Sequence, residues 1–217
     1  PKRFRMLEVD LDNVRAAIDW SYESRDWQSA IRLLWGLTGF WHGHHNYEGL
    51  GYCEKILAMP EAADRSIARA QALWCYANLL WSLSKFAAAS RIWEQAAAIG
   101  MEVGNEFMTM LSLIGWGAAM NALGDATAAQ SLLTEGLSRA RQIGSKPHMG
   151  LAQMHLGDVV LQQANMEAAL TLHEQSAANQ QFSENSALSL RRLGQIALRR
   201  GDSAQAGELM SESVRHI

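Results

Sequence analysis

The sequence predicts an all-α protein, a right-handed α-solenoid of antiparallel helix pairs, from three observations. A short turn recurs about every forty residues, which is typical of helical-repeat proteins. Apolar residues ahead of each turn keep the spacing of one helix face, as Leu73, Tyr76, Leu80 and Leu83 do. The 217 residues include only 3 prolines, so few positions interrupt a helix. The four turns are Ser84-Lys85, Gly124-Asp125, Ala164-Asn165 and Gly201-Asp202.

Each repeat is predicted to be one helical hairpin. A glycine at the turn supplies the left-handed backbone that ends a helix, and the Asp or Asn beside it caps the next helix. A small residue precedes every turn and an alanine follows it, at positions where two helices can approach closely. The small residues are Ala77, Gly117, Gly157 and Gly194. The alanines are Ala89, Ala129, Ala169 and Ala206.

The repeats divide the chain into two predicted parts that form one continuous superhelical domain. Residues 61–217 hold four repeats, at about 66–104, 105–144, 145–184 and 185–217. Residues 1–60 form an N-terminal helical segment, in which Asp26 and Ala30 repeat the turn spacing and indicate a degenerate hairpin up to about His42. A further helix is expected over about Tyr47 to Leu57, followed by a loop near Pro60.

Composition limits the function classes. The net charge of -3 argues against nucleic-acid binding through a basic face. Cys53 and Cys75 have neither zinc-ligand nor disulfide-framework spacing, which favours a reducing, cytoplasmic compartment. No apolar run reaches the roughly 18 residues that a membrane-spanning helix needs.

The ends of the sequence suggest a piece of a longer chain. It starts at Pro1 without an initiator methionine, and it stops at Ile217 inside a predicted helix. An interrupted solenoid exposes the apolar face that its next repeat would cover. We therefore expect Leu209, Met210 and Val214 to promote a homodimer of the isolated chain.

The last repeat carries a family resemblance. Its pattern, Leu-x-x-Leu-Gly followed by Gly-Asp-x-x-x-Ala, lies at Leu190, Leu193-Gly194, Gly201-Asp202 and Ala206 and resembles a tetratricopeptide (TPR) repeat. The usual TPR period is about 34 residues, whereas these repeats are longer. Repeats of this extended kind resemble those in the helical C-terminal region of large bacterial signal-transduction ATPases that regulate transcription, of LuxR type or winged-helix type.

The N-terminal segment resembles the same regulators. Residues 7–20 are similar to the stretch with which their helical region begins, and Phe40-Trp41-His42-Gly43, Glu48-Gly49 and residues 53–57 are similar to the run that follows. Cys53 departs from the family's aromatic residue. The resemblance implies a sensor or partner-binding arm, with nucleotide-switch and DNA-binding domains elsewhere in the same chain. Apart from the resemblance, we expect no cofactor, no catalysis and no direct contact of this segment with nucleic acid.

The TPR resemblance also implies which side chains line a concave groove on the first helix of each repeat. The implied ligand or partner groove comprises Gln71, Trp74, Asn78, Trp81, Ile114, Asn121, Met154, Asp158, Arg191 and Gln195, with Leu111, Ala118, Leu151, Leu161, Leu188 and Leu198 beside them. We expect Asn78, Asp158 and Arg191 to orient a protein, a peptide or a small-molecule effector, and Trp74 and Trp81 to wall the site.

Two plainer interpretations of the groove remain open. These side chains can simply pack against neighbouring helices, and the repeats can act as a passive protein–protein scaffold. The arginines at 191, 192, 199 and 200 form a stripe, which is either a solvated face or a contact for an acidic partner.

Metal binding and catalysis are the remaining alternatives. The remote metal-binding alternative rests on His42, His44 and His45 with Glu48, whose spacing suits a solvated turn better than a structural metal site. The sequence contains no nucleophile elbow, Walker-type loop, zinc-protease motif or dinucleotide fingerprint, so we predict no enzyme. His173 and Glu174 are expected at the surface of a second helix.

Overall fold

The computed structural model describes residues 7–180 and 183–216, except for the side chains at positions 43, 44 and 184. Over these residues the chain forms α-helices and one short 3-10 helix, and no strand. None of the described helices combines the length and the apolarity that crossing a membrane requires. The chain divides into two compact units, Pro1–Gly115 and Trp116–Ile217.

The first unit is built from helix pairs around an apolar core. Its helices are α1 (Leu11–Glu23), α2 (Trp27–Gly36), α3 (Thr38–His44), α4 (Asn46–Leu57), the 3-10 helix (Pro60–Ala63), α5 (Ile67–Ser82) and α6 (Phe86–Glu102). Helix α7 (Glu106–Ala122) begins in this unit and ends in the next. Helix α5 packs against α6 on one side and against α2 and α4 on the other. The fully buried side chains of the first unit include Ile18, Ile31, Trp41 and Leu79.

The second unit contains the remaining helices. They are α8 (Ala126–Ile143), α9 (Lys146–Gln162), α10 (Met166–Asn179), α11 (Glu184–Arg199) and α12 (Ser203–Arg215). Helix α9 packs against α8 and α10, α11 packs against α10 and α12, and α9 and α11 are also in contact. The first helices of successive pairs are therefore neighbours. The predicted division of the chain at residue 60 stays a prediction.

The N-terminal hairpin differs from its prediction. A single second helix reaching about His42 was expected, but the backbone breaks at Leu37 between α2 and α3. The Thr38 hydroxyl donates to the carbonyl oxygens of Leu34 (3.1 Å) and Trp35 (2.9 Å) across this break. The loop expected near Pro60 contains the 3-10 helix, in which proline takes a position that needs no N–H donor.

The turns between helices have the expected backbone. Gly124 and Gly201 have φ of 88° and 83°, in the left-handed region where glycine is favoured. Ser84 and Ala164 occupy the equivalent positions with φ of 57° and 63°, so the backbone geometry is kept where the glycine is not. The side chain after the turn accepts from a backbone N–H of the next helix at Asp125, Asn165 and Asp202.

The Asp125→Ala substitution should lower the free energy of unfolding by about 1 kcal/mol, because the Ala128 N–H loses its 2.9 Å bond to the Asp125 carboxylate. Urea denaturation measures the loss. Asp10→Ala is the matched control, since Asp10 also precedes a helix but its side chain makes no capping bond. Equal losses in the free energy of unfolding for the two variants would show that the capping bond of Asp125 does not stabilise this turn.

The small residues predicted at the helix contacts do face large side chains. A Cβ added to Gly117 would lie 2.6 Å from Leu133 Cγ, one on Gly157 would lie 2.7 Å from His173 Nε2, and one on Gly194 would lie 3.0 Å from Met210 Cγ. In each of these pairs, the large residue lies on the second helix, the same number of positions after the glycine. Close approach of the paired helices therefore depends on these glycines.

A group of polar side chains, here called the polar seam, joins α9, α10 and α11 in place of apolar packing. It consists of Gln153, Ser176, Gln180 and Ser189, all of them buried. The Ser176 hydroxyl donates to the Gly150 carbonyl oxygen (2.8 Å) and accepts from the Ser189 hydroxyl (2.9 Å) and from Gln180 Nε2 (3.2 Å). Buried polar groups are tolerated when they are hydrogen-bonded in this way.

Candidate functional site

The first helix of the α5/α6 pair carries the aromatic part of the predicted groove. Gln71, Trp74, Asn78 and Trp81 are all half-buried, and we call this set the α5 face. Asn78 Nδ2 donates to the Trp74 carbonyl oxygen (2.8 Å), which holds the amide against its own helix. The α5 face therefore offers two indole rings and two amides, without a formal charge.

Both tryptophans of the α5 face are supported from one side by other aromatic rings. The Trp74 ring lies against Trp35, with ring centroids 5.0 Å apart and planes tilted by 56°. The Trp81 ring contacts Phe86 (4.9 Å) and Trp93 (5.9 Å). Such support fixes the orientation of the rings, while their partial exposure leaves area for a ligand.

Helix α7 does not present the side chains that the TPR pattern implies. Ile114 is 1% exposed, and Leu111 and Ala118 are also buried, because they belong to the packing of the helix against its neighbours. Asn121, in the second unit, is half-buried, and its buried Oδ1 accepts no hydrogen bond from the described residues. An unsatisfied amide oxygen of this kind is costly unless something donates to it.

In the second unit the predicted residues belong to α9 and α11, two first helices that are in contact. We call the set of Asp158 on α9 with Leu188, Arg191, Gln195 and Leu198 on α11 the α9/α11 face. Met154 stands outside it, since this side chain is only 6% exposed and lies in the core. Gln195 is half-buried, and Arg191 is exposed.

The ion pair of this face involves a residue that the sequence reasoning did not select. Arg192 Nε lies 2.8 Å from Asp158 Oδ1, and Arg192 Nη1 donates to Gln195 Oε1 (3.1 Å). Burial raises the pKa of Asp158, and the charges of Arg192 and Arg191 oppose this effect. Arg192 therefore positions Asp158 and Gln195, and the neighbouring Arg191 keeps its guanidinium in solvent.

His173 lies in the core and not at the surface, so its predicted exposure is wrong. Its side chain is 0% exposed, neither ring nitrogen makes a hydrogen bond to a described residue, and Nε2 is 3.8 Å from Asp158 Oδ1. Desolvation lowers the pKa of His173 to about 4, and the charge of Arg192 contributes to the shift. Aligning the repeats could have predicted the burial of His173, because it occupies the position that Leu133 and Met210 occupy in the neighbouring pairs.

The histidine cluster connects helices in the first unit. The His45 ring stacks on Phe40 with centroids 4.9 Å apart, and its nitrogens lie 3.4 Å from a Glu8 oxygen and 3.5 Å from a Glu48 oxygen. Arg15 Nη2 donates to Glu48 Oε2 (2.9 Å), and hydrogen bonds from Arg15 lower the pKa of Glu48. These contacts join α1 to α4.

The described side chains of this cluster do not assemble a metal site. His42 is exposed, and the side chain of His44 lies outside the described residues. Within residues 7–180 and 183–216, no three His, Cys, Asp or Glu side chains are placed to hold a metal ion together.

Comparison with known proteins supports the fold and not a particular activity. No family model matches the chain, and no curated protein matches it in sequence. Solved structures do match. The chain is similar to BtubC (BKLC) from P. vanneervenii, with 14% identity and a TM-score of 0.73 over 97% of this chain and 90% of that chain.

Two other solved structures are similar over most of this chain. One is the Rap conjugation gene regulator of the plasmid pLS20 in complex with the Phr* peptide, with 13% identity and a TM-score of 0.67, covering 91% of this chain and 50% of that chain. The other is YrrB, described as a TPR protein with an unusual peptide-binding site, with 15% identity and a TM-score of 0.54 over 92% of both chains. Because these identities are low, the likeness shows the fold: the chain is an all-α, TPR-like helical-repeat protein, consistent with the predicted α-solenoid.

Proposed function

We propose that the chain is a TPR-like binding module, each unit of which takes an extended peptide segment on the first helices of its pairs. The observation that carries this proposal is the α5 face, where two half-buried tryptophans are fixed by aromatic neighbours and remain partly open to solvent. Large aromatic side chains of this kind supply most of the binding energy at protein interfaces. The peptide-bound Rap structure and the peptide-binding site described for YrrB support the same use of this fold.

We further propose that the module is the sensor arm of a bacterial, cytoplasmic transcription regulator and performs no catalysis itself. The resemblance of residues 7–20 to the start of such an arm supports this role, and so does the likeness to Rap, which is described as a gene regulator. In this scheme nucleotide-switch and DNA-binding domains belong to the same chain. Peptide binding shifts the equilibrium between two conformations of the regulator only by the difference in their affinities for the peptide.

The experiment is a selection of randomised dodecapeptides displayed against the full chain, followed by fluorescence-anisotropy titration of an enriched peptide. Trp74→Ala should weaken binding by about 2 kcal/mol, or about 30-fold, because a supported aromatic anchor is lost. Trp74→Phe should restore much of the affinity, since a ring remains against Trp35.

Trp20→Ala is the matched control for this titration, because Trp20 is 65% exposed on α1 and lies outside both binding faces. Circular dichroism checks that each variant keeps its helices. A failure to enrich any peptide, with only a folded partner retained, would contradict the proposal and favour the passive scaffold. Equal losses in the Trp74 and Trp20 variants would remove the α5 face from the site.

A further inference from the structure

The α9/α11 face of the second unit combines two exposed leucines with arginine between them. Leu188 is 37% and Leu198 is 50% exposed, and Arg191 and Gln195 lie between them at three- and four-residue steps along the same side of α11. At 1.5 Å per residue, the two leucines are about 15 Å apart along the helix. Four to five residues of an extended chain span about that distance.

One arginine of this face forms an ion pair within the fold, and the other does not. Asp158 is already paired with Arg192 at 2.8 Å, and Arg192 also donates to Gln195. Arg191 is exposed and forms no ion pair or hydrogen bond with any residue in the described ranges. Arg191 therefore acts on Asp158 only through its charge, without an ion pair, and its guanidinium remains open to a ligand.

In the second unit, the first helices carry a net positive charge and the other helices carry a net negative charge. By sequence, α9 and α11 carry a net charge of +2, and α8, α10 and α12 together carry -2. The charged residues of α9 and α11 are Lys146, Arg191, Arg192, Arg199, Asp158 and Glu184. Those of α8, α10 and α12 are Arg139, Arg141, Arg215, Glu135, Glu167, Glu174, Glu208 and Glu212. The first helices thus attract an acidic ligand, although the whole chain is acidic.

We infer that the α9/α11 face binds an extended peptide segment in which an Asp or Glu lies between two apolar residues. Arg191 donates to the carboxylate of the ligand, and Leu188 and Leu198 contact the flanking apolar side chains. The Asp158–Arg192 ion pair joins the same two helices, and the charge of Arg192 offsets the repulsion between the Asp158 carboxylate and an acidic ligand. This inference rests on the proposed peptide-binding function and names the chemical class of the peptide.

The test repeats the displayed-peptide selection on the full chain and on its Arg191→Glu variant. The unmodified chain should enrich peptides with an acidic residue between apolar ones, and Arg191→Glu should lose this preference. For an enriched peptide, Arg191→Glu should weaken binding at least tenfold, and replacing the peptide's Glu by Gln should weaken binding to the unmodified chain to a similar degree. In the Arg191→Glu variant, the same change in the peptide should have no unfavourable effect.

Arg141→Glu is the matched control. Arg141 is exposed near the end of α8, on a second helix, and the substitution makes the same change of net charge. It should change the affinity by less than about twofold, because exposed charges far from a contact are screened by salt. Enrichment of basic or uncharged peptides, or equal effects of Arg141→Glu and Arg191→Glu, would overturn the inference.

The outcomes separate this inference from the proposed function. Peptides that depend on Trp74 but carry no acidic preference would leave the binding module in place and overturn only the acidic class. A selection that enriches no peptide would overturn both proposals together.

Discussion

Gly115→Ala should lower the free energy of unfolding by about 2 kcal/mol, which corresponds to a fall in Tm of roughly 4–8 °C for a chain of this size. The added Cβ would lie 2.4 Å from Trp93 Cε2 and 2.7 Å from both Cδ2 and Nε1. These atoms belong to a rigid indole that is 3% exposed, so the helices must separate to admit the methyl group. The clash outweighs the gain of about 1 kcal/mol that alanine brings to a helix interior.

Gly51→Ala is the control for Gly115→Ala. Gly51 also lies inside a helix, but a Cβ there meets nothing within 4 Å, so the substitution should raise stability by about 0.5–1 kcal/mol. Trp93→Leu supplies the second test, because leucine stands at the equivalent Leu133. In the Trp93→Leu background, Gly115→Ala should become neutral or stabilising. Unfolding by urea measures all four changes, and a loss that persists in that background would show that Trp93 is not the clashing partner.

His173→Leu should raise the free energy of unfolding at pH 7 by about 1–2 kcal/mol. The substitution removes two buried ring nitrogens that lack hydrogen bonds, and it places an apolar side chain where the neighbouring pairs have Leu133 and Met210. The Asp158–Arg192 pair should be kept, since it does not depend on the imidazole.

The effect of His173→Leu should increase in acid. The pKa of His173 is lowered from 6.5 to about 4 in the folded chain, chiefly by desolvation, and the pKa of His155 is lowered to about 4 by the same cause. Between pH 6.5 and 4 the unfolded chain binds a proton at each site that the folded chain does not bind. Stability is therefore complete above pH 6.5 and falls as the pH drops towards 4, by roughly 3 kcal/mol for His173 alone.

Thermal denaturation from pH 7.5 to 4 tests this expectation. The His173→Leu variant should show a shallower loss of Tm with falling pH, and the remaining slope should come partly from His155. His42→Gln is the control, because His42 is exposed whereas His173 is buried. Parallel profiles of the His173→Leu variant and the unmodified chain would show that His173 takes up its proton as readily in the fold as in the unfolded chain.

Much of the fold follows from local sequence signals. The pairs from α5 to α12 are marked by left-handed turn residues and by capping side chains, and both act over a few residues of chain. The break at Leu37 was missed because no proline lies there to mark the end of a helix. Thr38 does not mark the break either, because Thr134 and Thr171 make the same kind of hydroxyl bond inside continuous helices.

The candidate site is less accessible to sequence reasoning. The spacing of positions on a helix places Ile114 and Trp74 at equivalent points, but their exposure depends on how closely the adjacent helices pack. Arg191 and Arg192 are adjacent in sequence but point in directions about 100° apart around α11. How α11 packs against α9 therefore decides that Arg192 reaches Asp158. His173 is different, since comparison of the repeats alone was enough to assign it to the core.

The polar seam limits how the array can change in evolution. A helix pair that buries only apolar surface can be duplicated or exchanged, because any neighbour of suitable shape covers it. The α11/α12 pair instead buries the Ser189 hydroxyl, which donates to the Ser176 hydroxyl of the α9/α10 pair. The other bonds of Ser176, to Gly150 and from Gln180, belong to the α9/α10 pair itself. Beside a pair that lacks an acceptor at the position of Ser176, the buried Ser189 hydroxyl would be unsatisfied. We therefore expect the α9 to α11 segment to be inherited as one block, with gains and losses of repeats confined to other positions.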